Sequence, residues 1–472
     1  MEKIIRIFCT IALVSAIIAS SAMPALATTQ VNATKSAARA FRGEIIANPP
    51  TAAAAAANVP NNTFGSTSNI TEDDVIFQCD FNDASNWYNP SWNYRKLITI
   101  DHTKVDNVDT PSTTYANFPV LINISSDSGL ASKAQSDGDD ILFTSSDGTT
   151  KLNHEIELYN SSTGELVAWV NVTLTKDSSD ATNDTLYMYY GNSGASSQQN
   201  AAAVWNPNYK AVWHLKEATG STSADSTSNK NNATPLQSPT QTSAKIDGGL
   251  TFNGVGMEDN VNSAFGLGTT SATMEVWAYL SDTSRKGAFL KIGGNGSEGG
   301  VAPGDGYAFG VGAQGGDPLS YDFEHSGNSI VVLYEALRWI PTGATYTAGW
   351  HHFVLVISAS GYPTVYYDGA QIYTDATAAP LAPVAITRIG GYTGSGGENR
   401  HSNAILDEVR VSNTVRSANW IKTEYNNQYS PSTFYSVGSE EDNIPPAITI
   451  DTPTNIEKVY RKSGELFYVN FT

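Results

Sequence analysis

Cysteine is nearly absent from this sequence of 472 residues, which contains only two. Cys9 lies in an apolar N-terminal segment that has the pattern of an export signal, and removal of that segment leaves Cys79 alone. No intrachain disulfide can then form, so the folded part must be stabilised by its hydrophobic cores. Because Cys79 has no identifiable catalytic partner, we expect it to be a small buried apolar residue.

Positive charge is also scarce. The sequence has 27 Lys and Arg residues against 46 Asp and Glu residues, a formal net charge of −19, and only 15% of its residues are charged. Nucleic-acid binding is therefore not expected, because phosphates must be neutralised by cationic side chains. The acidic balance suits a soluble surface protein that attracts cations.

Long apolar runs are missing after the N-terminus. Residues 1–27 combine a charged start, the apolar run 11–19 and the small-x-small sequence Ala25-Leu26-Ala27, which is the pattern of a secretory signal peptide. An uncleaved anchor is the alternative, but the run is short for a span of about 20 residues. We expect a secreted protein or one on the extracellular face of the cell envelope, with no membrane span in the mature chain.

Several catalytic and binding motifs are missing as well. The sequence contains no Gly-x-Ser-x-Gly, no phosphate-binding Gly-Lys-Ser/Thr and no Cys-x-x-Cys, so it offers no basis for acyl transfer, nucleotide use or zinc. Trp350-His351-His352 is the most prominent histidine motif. Adjacent strand residues point to opposite faces, so one ion cannot easily take both rings. We expect a structural role.

Ala, Asn, Thr and Pro dominate residues 28–75, which include six consecutive alanines. The segment has no sustained hydrophobic period, so we expect a flexible spacer. Asn-x-Ser/Thr triplets recur along the chain, and in an exported protein some are expected to carry glycans. The candidates are Asn123, Asn160, Asn171, Asn183, Asn232 and Asn295.

Residues 349–375 predict the clearest local structure. Phe353, Leu355 and Ile357 alternate along a strand, and Asp368-Gly369 is a strong hairpin signal between two further strands. Such an antiparallel meander needs a second sheet to cover its apolar face. The stretch therefore predicts part of a β-sandwich.

Residues 76–205 predict another β-sandwich. Turn signals such as Asp147-Gly148 and Thr163-Gly164 separate short alternating segments at sandwich-like intervals, and helical periodicity is absent. The predicted strands lie at 95–100, 118–124, 141–143, 154–159, 167–174 and 186–190.

A series of motifs in residues 206–440 resembles concanavalin A-like, laminin-G-type jelly rolls. They run in the family's order: Ala211-Val212-Trp213-His214-Leu215, Gly249-Leu250-Thr251-Phe252-Asn253-Gly254, Met274-Glu275-Val276-Trp277, Trp350-His351-His352, Tyr366-Tyr367-Asp368-Gly369 and Leu406-Asp407-Glu408-Val409-Arg410-Val411. The same scaffold carries lectins, adhesins, spacers and enzymes, so the resemblance implies a fold more firmly than a function.

Residues 87–200 resemble a second family, the domain of unknown function 2341. The resemblance rests on Ser91-Trp92-Asn93-Tyr94-Arg95-Lys96, His154-Glu155-Ile156-Glu157, Ala168-Trp169-Val170 and Tyr187-Met188-Tyr189-Tyr190-Gly191-Asn192. That family occurs in exported prokaryotic, especially archaeal, surface proteins and often precedes a laminin-G-type jelly roll. It implies location and co-occurrence, and names no reaction.

Structural Ca²⁺ is the cofactor that the jelly-roll resemblance implies. Jelly rolls of this type often tie an Asx-rich loop to the Asp of the Leu-Asp-Glu-Val-Arg strand, which here nominates Asp225, Asn229 and Asp407 as ligands. The loop departs from the family's Gly-Asn-Gly-Asn-His-Gly pattern at Ser228 and Lys230, among other positions. The alternative is an Asx-rich turn without a metal.

Aromatic residues in Gly-rich loops are candidates for sugar stacking. Trp339, Tyr346 and Tyr392 have this setting, and loops on a rigid sandwich often carry binding. The alternative is that these rings fill the core or rim.

A glycosidase is the enzymatic alternative. Glu155 and Glu157 are two apart on a predicted strand, about 6.6 Å at the backbone, close to the spacing of paired hydrolytic carboxylates. They lie outside the jelly roll, where Asp322 and Glu324 are the nearest pair and lack a third acid. A solvated strand face is the simpler interpretation, so no catalytic residue is assigned.

The tail, residues 441–472, is expected to begin an immunoglobulin-like module, with predicted strands at 447–450 and 466–471. Two strands alone cannot bury a core, so either the chain is a fragment of a longer protein, which we favour, or the tail pairs with something else. The whole sequence thus predicts an all-β protein: two tandem antiparallel β-sandwiches, the second a concanavalin A-like jelly roll, and a truncated third. We expect the protein to act in adhesion or carbohydrate binding, without catalysis. Its expected partner is a glycan or a surface protein. A passive envelope spacer is the alternative.

Overall fold

The computed structural model describes most of the chain from residue 86 to residue 443. The described residues are 42–47, 75–80, 86–106, 114–254, 258–293, 306–314, 321–322, 328–333, 339–376, 382–383, 386–391, 400–443 and 467–468. Two compact units are distinguished, residues 1–93 with 441–472, and residues 94–440. The expected signal peptide and most of the expected spacer lie outside the described residues. Among the described helices, none has the length and apolar character needed to span a bilayer.

The smaller unit contains a three-stranded antiparallel sheet. Its strands, in spatial order, are β1 (Arg42–Ala47), β2 (Val75–Asp80) and β27 (Phe467–Tyr468). This differs from the sequence-based boundaries, which placed β1 in the spacer, β2 at the start of the first sandwich and β27 in an immunoglobulin-like module. The β-branched residues of β1 and β2 favour strand pairing. β1 was not predicted because the Ala, Asn, Thr and Pro content of residues 28–75 indicated a spacer.

Residues from 94 onward form the first sandwich, and each predicted strand in it is confirmed. Turn glycines bend the chain where expected: Gly148 and Gly164 both have positive φ, at 74° and 69°. A short helix, α1 (Ser128–Lys133), and a 3₁₀ turn, His102–Lys104, lie between strands. The strands are β3 (Tyr94–Ile100), β4 (Tyr115–Ile124), β5 (Leu142–Ser145), β6 (Lys151–Leu152), β7 (His154–Asn160), β8 (Glu165–Leu174) and β9 (Asp184–Tyr190).

The sandwich has two antiparallel sheets of unequal size. The order β4-β8-β7 makes the small sheet, and β3, β9, β5 and β6 follow one another in the larger one. Alternate residues such as Val120, Ile122, Val170 and Met188 are fully buried between the sheets. The helix α2 (Ala201–Val204) leads out of the sandwich.

The jelly roll follows as two eight-stranded antiparallel sheets. One has the order β12-β13-β25-β15-β21-β22-β23, with β10 also on β25, and the other β11-β14-β24-β16-β17-β19-β20, with β18 also on β17. The strands are β10 (Tyr209–Trp213), β11 (Thr234–Leu236), β12 (Thr240–Ser243), β13 (Gly248–Asn253), β14 (Glu258–Val261), β15 (Ala272–Leu280), β16 (Gly287–Ile292), β17 (Tyr307–Gln314), β18 (Tyr321–Asp322), β19 (Ser329–Leu333), β20 (Ile340–Thr345), β21 (Gly349–Ile357), β22 (Pro363–Tyr367), β23 (Ala370–Thr374), β24 (Thr387–Ile389) and β25 (Asn403–Ser412).

The meander at residues 349–374 has the predicted form. Phe353, Leu355 and Ile357 point into the jelly-roll core. Asp368 and Gly369 both have positive φ, at 50° and 73°, which a two-residue type I′ hairpin turn requires. The all-β sandwich prediction is therefore confirmed.

The chain then returns to the first sandwich, which the sequence did not predict. Helix α3 (Ala418–Tyr429) and helix α4 (Pro431–Phe434) lead into β26 (Tyr435–Asp442), which pairs with β3. Trp420, at the start of α3, is buried in the core of the first sandwich. The predicted jelly-roll boundary at residue 440 thus includes a strand of the other sandwich.

Helix α3 lies between the two sandwiches and contacts both. On one side, the Asn427 amide pairs with the edge strand β4, accepting from Leu121 N at 2.7 Å and donating to Leu121 O at 3.0 Å. On the other side, Ile421 packs against Val354 and Val356 of the jelly roll. The Asn427 side chain thus satisfies a strand edge that would otherwise be buried unpaired.

Replacing Asn427 is expected to weaken the fold. Asn427→Ala leaves the buried N–H and C=O of Leu121 unpaired, so urea denaturation should show a loss of about 2–3 kcal/mol in the free energy of unfolding. The matched control is Asn426→Ala on the same helix, whose amide donates once to Lys104 O and is partly exposed. Equal losses in the two variants would contradict this account of the strand edge.

Candidate functional site

Two glutamates of the first sandwich point towards the jelly roll. Ile156 packs against the first sandwich's core, and Glu155 and Glu157 on either side of it face away from that core. The prediction that the two share a face is therefore confirmed, although a bulge lies between Ile156 and Leu158. The interpretation as a solvated strand face is wrong, because the Glu157 side chain is fully buried and that of Glu155 is only 13% exposed.

The jelly roll meets these glutamates with charged residues of β25. In a regular strand Glu408 and Arg410 would share a face with the core residue Leu406. Glu408 instead has a positive φ of 51°, and the pairing with β15 slips by one residue at this point. The bulge keeps Leu406 and Val409 in the core and turns Glu408 and Arg410 outwards.

We call the resulting group of buried charges between the two sandwiches the interface cluster. Each of its members lies on an outward face of a sandwich sheet, at the end of β10 or on helix α3. Its members are Glu155, Glu157, His214, Glu275, Asp407, Glu408, Arg410 and Glu424.

His214 lies at the centre of the interface cluster. It follows Trp213, which points into the jelly-roll core, so the imidazole points outwards. Its Nδ1 lies 2.6 Å from Glu408 Oε1 and 3.4 Å from Glu157 Oε2, and its Nε2 lies 3.4 Å from Glu155 Oε2. One ring thus joins carboxylates from both sandwiches.

Arg410 is the second cation of the interface cluster. Its guanidinium donates to Glu408 Oε2 at 2.7 Å and to Glu424 Oε1 at 2.6 Å. The same group lies 4.4 Å from the ring centre of Trp169 and 4.9 Å from that of Trp205, both from the first part of the chain. Burial of a guanidinium needs this combination of carboxylates and aromatic faces.

The carboxylates divide into two classes by their pKa values. Burial raises the pKa of Glu157 to about 8, against the attraction of His214, and burial likewise raises the pKa of Glu424 to about 8. For Glu155, burial is outweighed by His214, which lowers the pKa to about 2. Burial is also outweighed for Glu408, whose pKa is lowered by His214 and Arg410. Near neutral pH, Glu155 and Glu408 are therefore ionised, whereas Glu157 and Glu424 are protonated.

His214 is cationic in this setting. Burial favours the neutral ring, but the charges of Glu408, Glu157 and Glu155 raise the pKa of His214 well above its usual value. The two cations then balance the ionised Glu155 and Glu408. Close balance is what allows so many polar groups to be enclosed.

Indole N–H groups and a serine fix the two glutamates of β7. Trp169 Nε1 donates to Glu157 Oε2 at 2.8 Å, and Trp205 Nε1 donates to Glu155 Oε2 at 2.8 Å. Ser226 donates to the other Glu155 oxygen at 2.6 Å. The pair is thus occupied by protein donors and enclosed, which does not suit hydrolysis of a polysaccharide. The other acid pair, Asp322 and Glu324, has no described side chains.

The proposed Ca²⁺ ligands lie in two different hydrogen-bond settings. Asp225 accepts four hydrogen bonds, from Val212 N, from Thr227 N and Oγ1, and from Asn231 N, in the manner of an Asx turn. The Asn229 amide donates to carbonyl oxygens at the start of β10, and Asp407 accepts from Ile246 N. The ion itself stays a prediction.

Two of the three aromatic ligand candidates are buried. Trp339 is 2% exposed and packs with Val331 and Leu333, and Tyr346 is 1% exposed in the jelly-roll core. Neither ring has a free face for a sugar, so the structure contradicts these two assignments. Their Gly-rich surroundings suggested loops, but the two residues flank β20 directly and their rings are buried by neighbouring strands. Tyr392 lies outside the described residues.

The glycosylation candidates differ in accessibility. Asn183 and Asn232 are exposed, whereas Asn123, Asn160 and Asn171 are half-buried. The Asn171 amide donates to the carbonyls of Ala203 and Val204, which disfavours a glycan on that nitrogen. Asn295 lies outside the described residues.

Glu424 is expected to make the protein less stable at alkaline pH. A carboxyl group whose pKa rises on folding, from 4.5 to about 8 for Glu424, contributes stability that is complete below its unfolded pKa and is lost as the pH rises through about 8. Glu424→Gln mimics the protonated acid and keeps an oxygen that accepts from Arg410. The variant should therefore lose less stability than the wild type between about pH 5 and pH 8.

The measurement is the thermal midpoint against pH. Glu165→Gln, a change at a partly exposed position at the start of β8, is the control and should keep the wild-type profile. A Glu424→Gln profile that parallels the wild type would show that the Glu424 carboxyl takes up no proton on folding.

Comparison with protein families agrees with this architecture. Residues 137–236 match a domain of unknown function, DUF2341, and residues 253–422 match the concanavalin A-like lectin/glucanases superfamily. The search of curated proteins found no match.

Solved structures with related folds are distant. Domain 4 of the extracellular arabinanase AbnA from Geobacillus stearothermophilus is 13% identical, with a TM-score of 0.35, and the alignment covers 46% of this chain and 98% of that domain. A Trypanosoma rangeli sialidase is 17% identical, with a TM-score of 0.36, over 59% of this chain and 43% of the sialidase. At these TM-scores the likenesses assign no ligand or activity. The family matches do identify the two segments: the chain contains a DUF2341 segment followed by a concanavalin A-like segment, as its sequence motifs indicate.

Proposed function

We propose that this is an exported cell-surface protein whose jelly roll binds carbohydrate without hydrolysing it. The match to the lectin/glucanase superfamily supports the binding class. The observation that carries the proposal is a set of partly exposed aromatic rings, two on the outward face of one jelly-roll sheet and two on helix α3, which packs on that face. Export and surface location rest on the N-terminal signal pattern.

The row begins with a cross-strand pair at one end of the sheet. Tyr279 on β15 pairs with Trp350 on β21, their ring centres are 5.6 Å apart, and both are partly exposed. Trp277, two residues before Tyr279, faces the same way and stacks on Tyr425 of helix α3 at 5.8 Å. Tyr425 in turn stacks on Tyr429 at 5.1 Å.

The accessible members of this row are Tyr279, Trp350, Tyr425 and Tyr429, which we call the aromatic row. Tyr429 is 55% exposed, the most exposed large hydrophobic residue among those described. Sugar rings present apolar C–H faces, and flat partly exposed aromatic rings are suitable surfaces for them. The row thus replaces Trp339 and Tyr346 as the stacking surface.

Polar groups beside the aromatic row could hold sugar hydroxyls. Lys245 Nζ lies 4.8 Å from the ring centre of Tyr429, and Lys422 Nζ lies 4.9 Å from that of Tyr425. Ligand sites commonly combine an apolar surface with a few polar groups that fix orientation. Both parts are present here.

The absence of hydrolysis is part of the proposal. It is supported by the occupation of Glu155 and Glu157 by indole, serine and imidazole partners inside the interface cluster. Structural Ca²⁺ at Asp225, Asn229 and Asp407 also belongs to the proposal, with fixing of the loop after β10 as its role.

Substitution in the aromatic row is expected to weaken glycan binding. On a glycan array, the wild type should bind at least one glycan, and Trp350→Ala and Tyr429→Ala should each weaken that binding about tenfold, or about 1.4 kcal/mol. The control is Tyr362→Ala, an exposed tyrosine in the turn after β21 that is outside the row. A chelator arm tests whether Ca²⁺ contributes.

Other outcomes would favour the competing functions. A wild-type protein that binds no glycan would favour the passive envelope spacer. Hydrolysis of a bound glycan that disappears in Glu155→Gln would favour the glycosidase.

A further inference from the structure

We propose that Glu157, His214 and Glu408 form a binding site for a transition-metal dication of the Zn²⁺ class, which joins the two sandwiches. The site is independent of the aromatic row, and no Cys-x-x-Cys or histidine motif indicates it in the sequence. It brings together β7 of the first sandwich with β25 and the end of β10 of the jelly roll.

The three side chains have the spacing of metal ligands. One ligand atom from each lies within 4.8 Å of the others, and among the described residues this is the only such group of three His, Cys, Asp or Glu side chains. Ligands on a tetrahedral Zn²⁺ with bonds of about 2.0–2.2 Å lie roughly 3.3–3.5 Å apart. The 3.4 Å between His214 Nδ1 and Glu157 Oε2 places the Glu157 carboxylate at this separation, and Oε1, which accepts no hydrogen bond, is its oxygen left for the metal. Glu408 Oε1, at 2.6 Å from the same nitrogen, must withdraw by about 0.7 Å.

An unsatisfied oxygen provides a second, independent observation. In the described part of the chain, the buried Glu157 Oε1 has no hydrogen-bond partner, and neither has Oδ1 of Asp407, which adjoins Glu408. Both residues are buried, and a buried carboxylate oxygen without a donor is unusual in a folded protein. A cation between the carboxylates would satisfy such an oxygen.

The outer groups hold the ligands in suitable orientations. Trp169 donates to Glu157 Oε2, and Arg410 donates to Glu408 Oε2. Each contact fixes a carboxylate and leaves its other oxygen for a metal, which is how supporting residues orient ligands in metal sites.

Carboxyl groups outnumber cationic side chains among the members of the interface cluster. Six carboxyl groups, those of Glu155, Glu157, Glu275, Asp407, Glu408 and Glu424, are enclosed with one imidazole and one guanidinium. A bound M²⁺ would replace both the Nδ1 proton that His214 shares with Glu408 and the proton on Glu157, and the two protons would leave to solvent. The metal–ligand bonds then take the place of the His214–Glu408 hydrogen bond.

The donor set selects the kind of metal. One imidazole nitrogen and two carboxylate oxygens suit Zn²⁺ and its neighbours. Ca²⁺ prefers six to eight oxygen ligands, which three side chains do not supply. Binding of Zn²⁺ is therefore expected at this site, and binding of Ca²⁺ at the loop that contains Asp225, so the two ions test the two sites separately.

The test uses the full chain, freed of metal with a strong chelator and then equilibrated with Zn²⁺ or Ca²⁺. Elemental analysis should find one Zn²⁺ per chain, and the thermal midpoint should rise by about 5 °C with Zn²⁺ at a large excess over its dissociation constant. His214→Gln and Glu157→Gln should each abolish both effects. The control His102→Gln changes a partly exposed histidine outside the cluster and should keep both.

A spectroscopic measurement on the wild type guards against variants that do not fold. Co²⁺ should bind in place of Zn²⁺ and give the intense visible absorption of a four-coordinate site, and Zn²⁺ should displace it. The proposal is overturned if the wild type retains no Zn²⁺ and gives no Co²⁺ spectrum. It is equally overturned if folded His214→Gln and Glu157→Gln still bind Zn²⁺, or if Asp225→Asn alone removes it.

Discussion

The packing of the two sandwiches against each other depends on the contact between the His214 imidazole and the Glu408 carboxylate. Both groups belong to the jelly roll and lie on its outward face, and both are buried in the folded protein. A buried ion pair is costly to desolvate and gives little net stability by itself. What it imposes is specificity, since Glu155, Glu157 and Trp169 must arrive at fixed positions to complete the partners of His214 and Arg410. The two sandwiches therefore form one compact unit rather than two domains on a linker.

Two local features make this arrangement possible. The bulge at Glu408 changes which residues of β25 face outwards, so that charges rather than valines meet the first sandwich. Helix α3 then closes the gap, with Asn427 on the edge of β4, and Glu424 on Arg410. Each feature depends on the other, because Glu424 would be an isolated buried acid if Arg410 pointed into the core.

The sequence predicts local structure here better than it predicts partners. Alternation and turn chemistry locate the strands of the first sandwich and the Asp368-Gly369 hairpin, since both depend on neighbours in the chain. The shared face of Glu155 and Glu157 follows from the same rule. Their partners His214 and Ser226 do not, because contacts between residues this far apart in the chain leave no mark on local periodicity.

Other features were missed for identifiable reasons. A bulge shifts the face of every later residue in β25, and only the positive φ of Glu408 shows it. Helix α3 carries apolar and polar groups on two contact faces, so it lacks a single apolar stripe, although Ser417 caps its start. Trp339 and Tyr346 were assigned to loops from nearby glycines, whereas burial is decided by which side of the sheet they face.

The most direct test of this account is a double-mutant cycle across the two sandwiches, with Glu155→Gln and His214→Gln measured singly and together by urea denaturation. If the charges are interdependent, the free-energy losses should be non-additive by at least about 1 kcal/mol. Losses that add to within about 0.5 kcal/mol would mean that the two residues do not act together, and the interface cluster would then not be what joins the sandwiches.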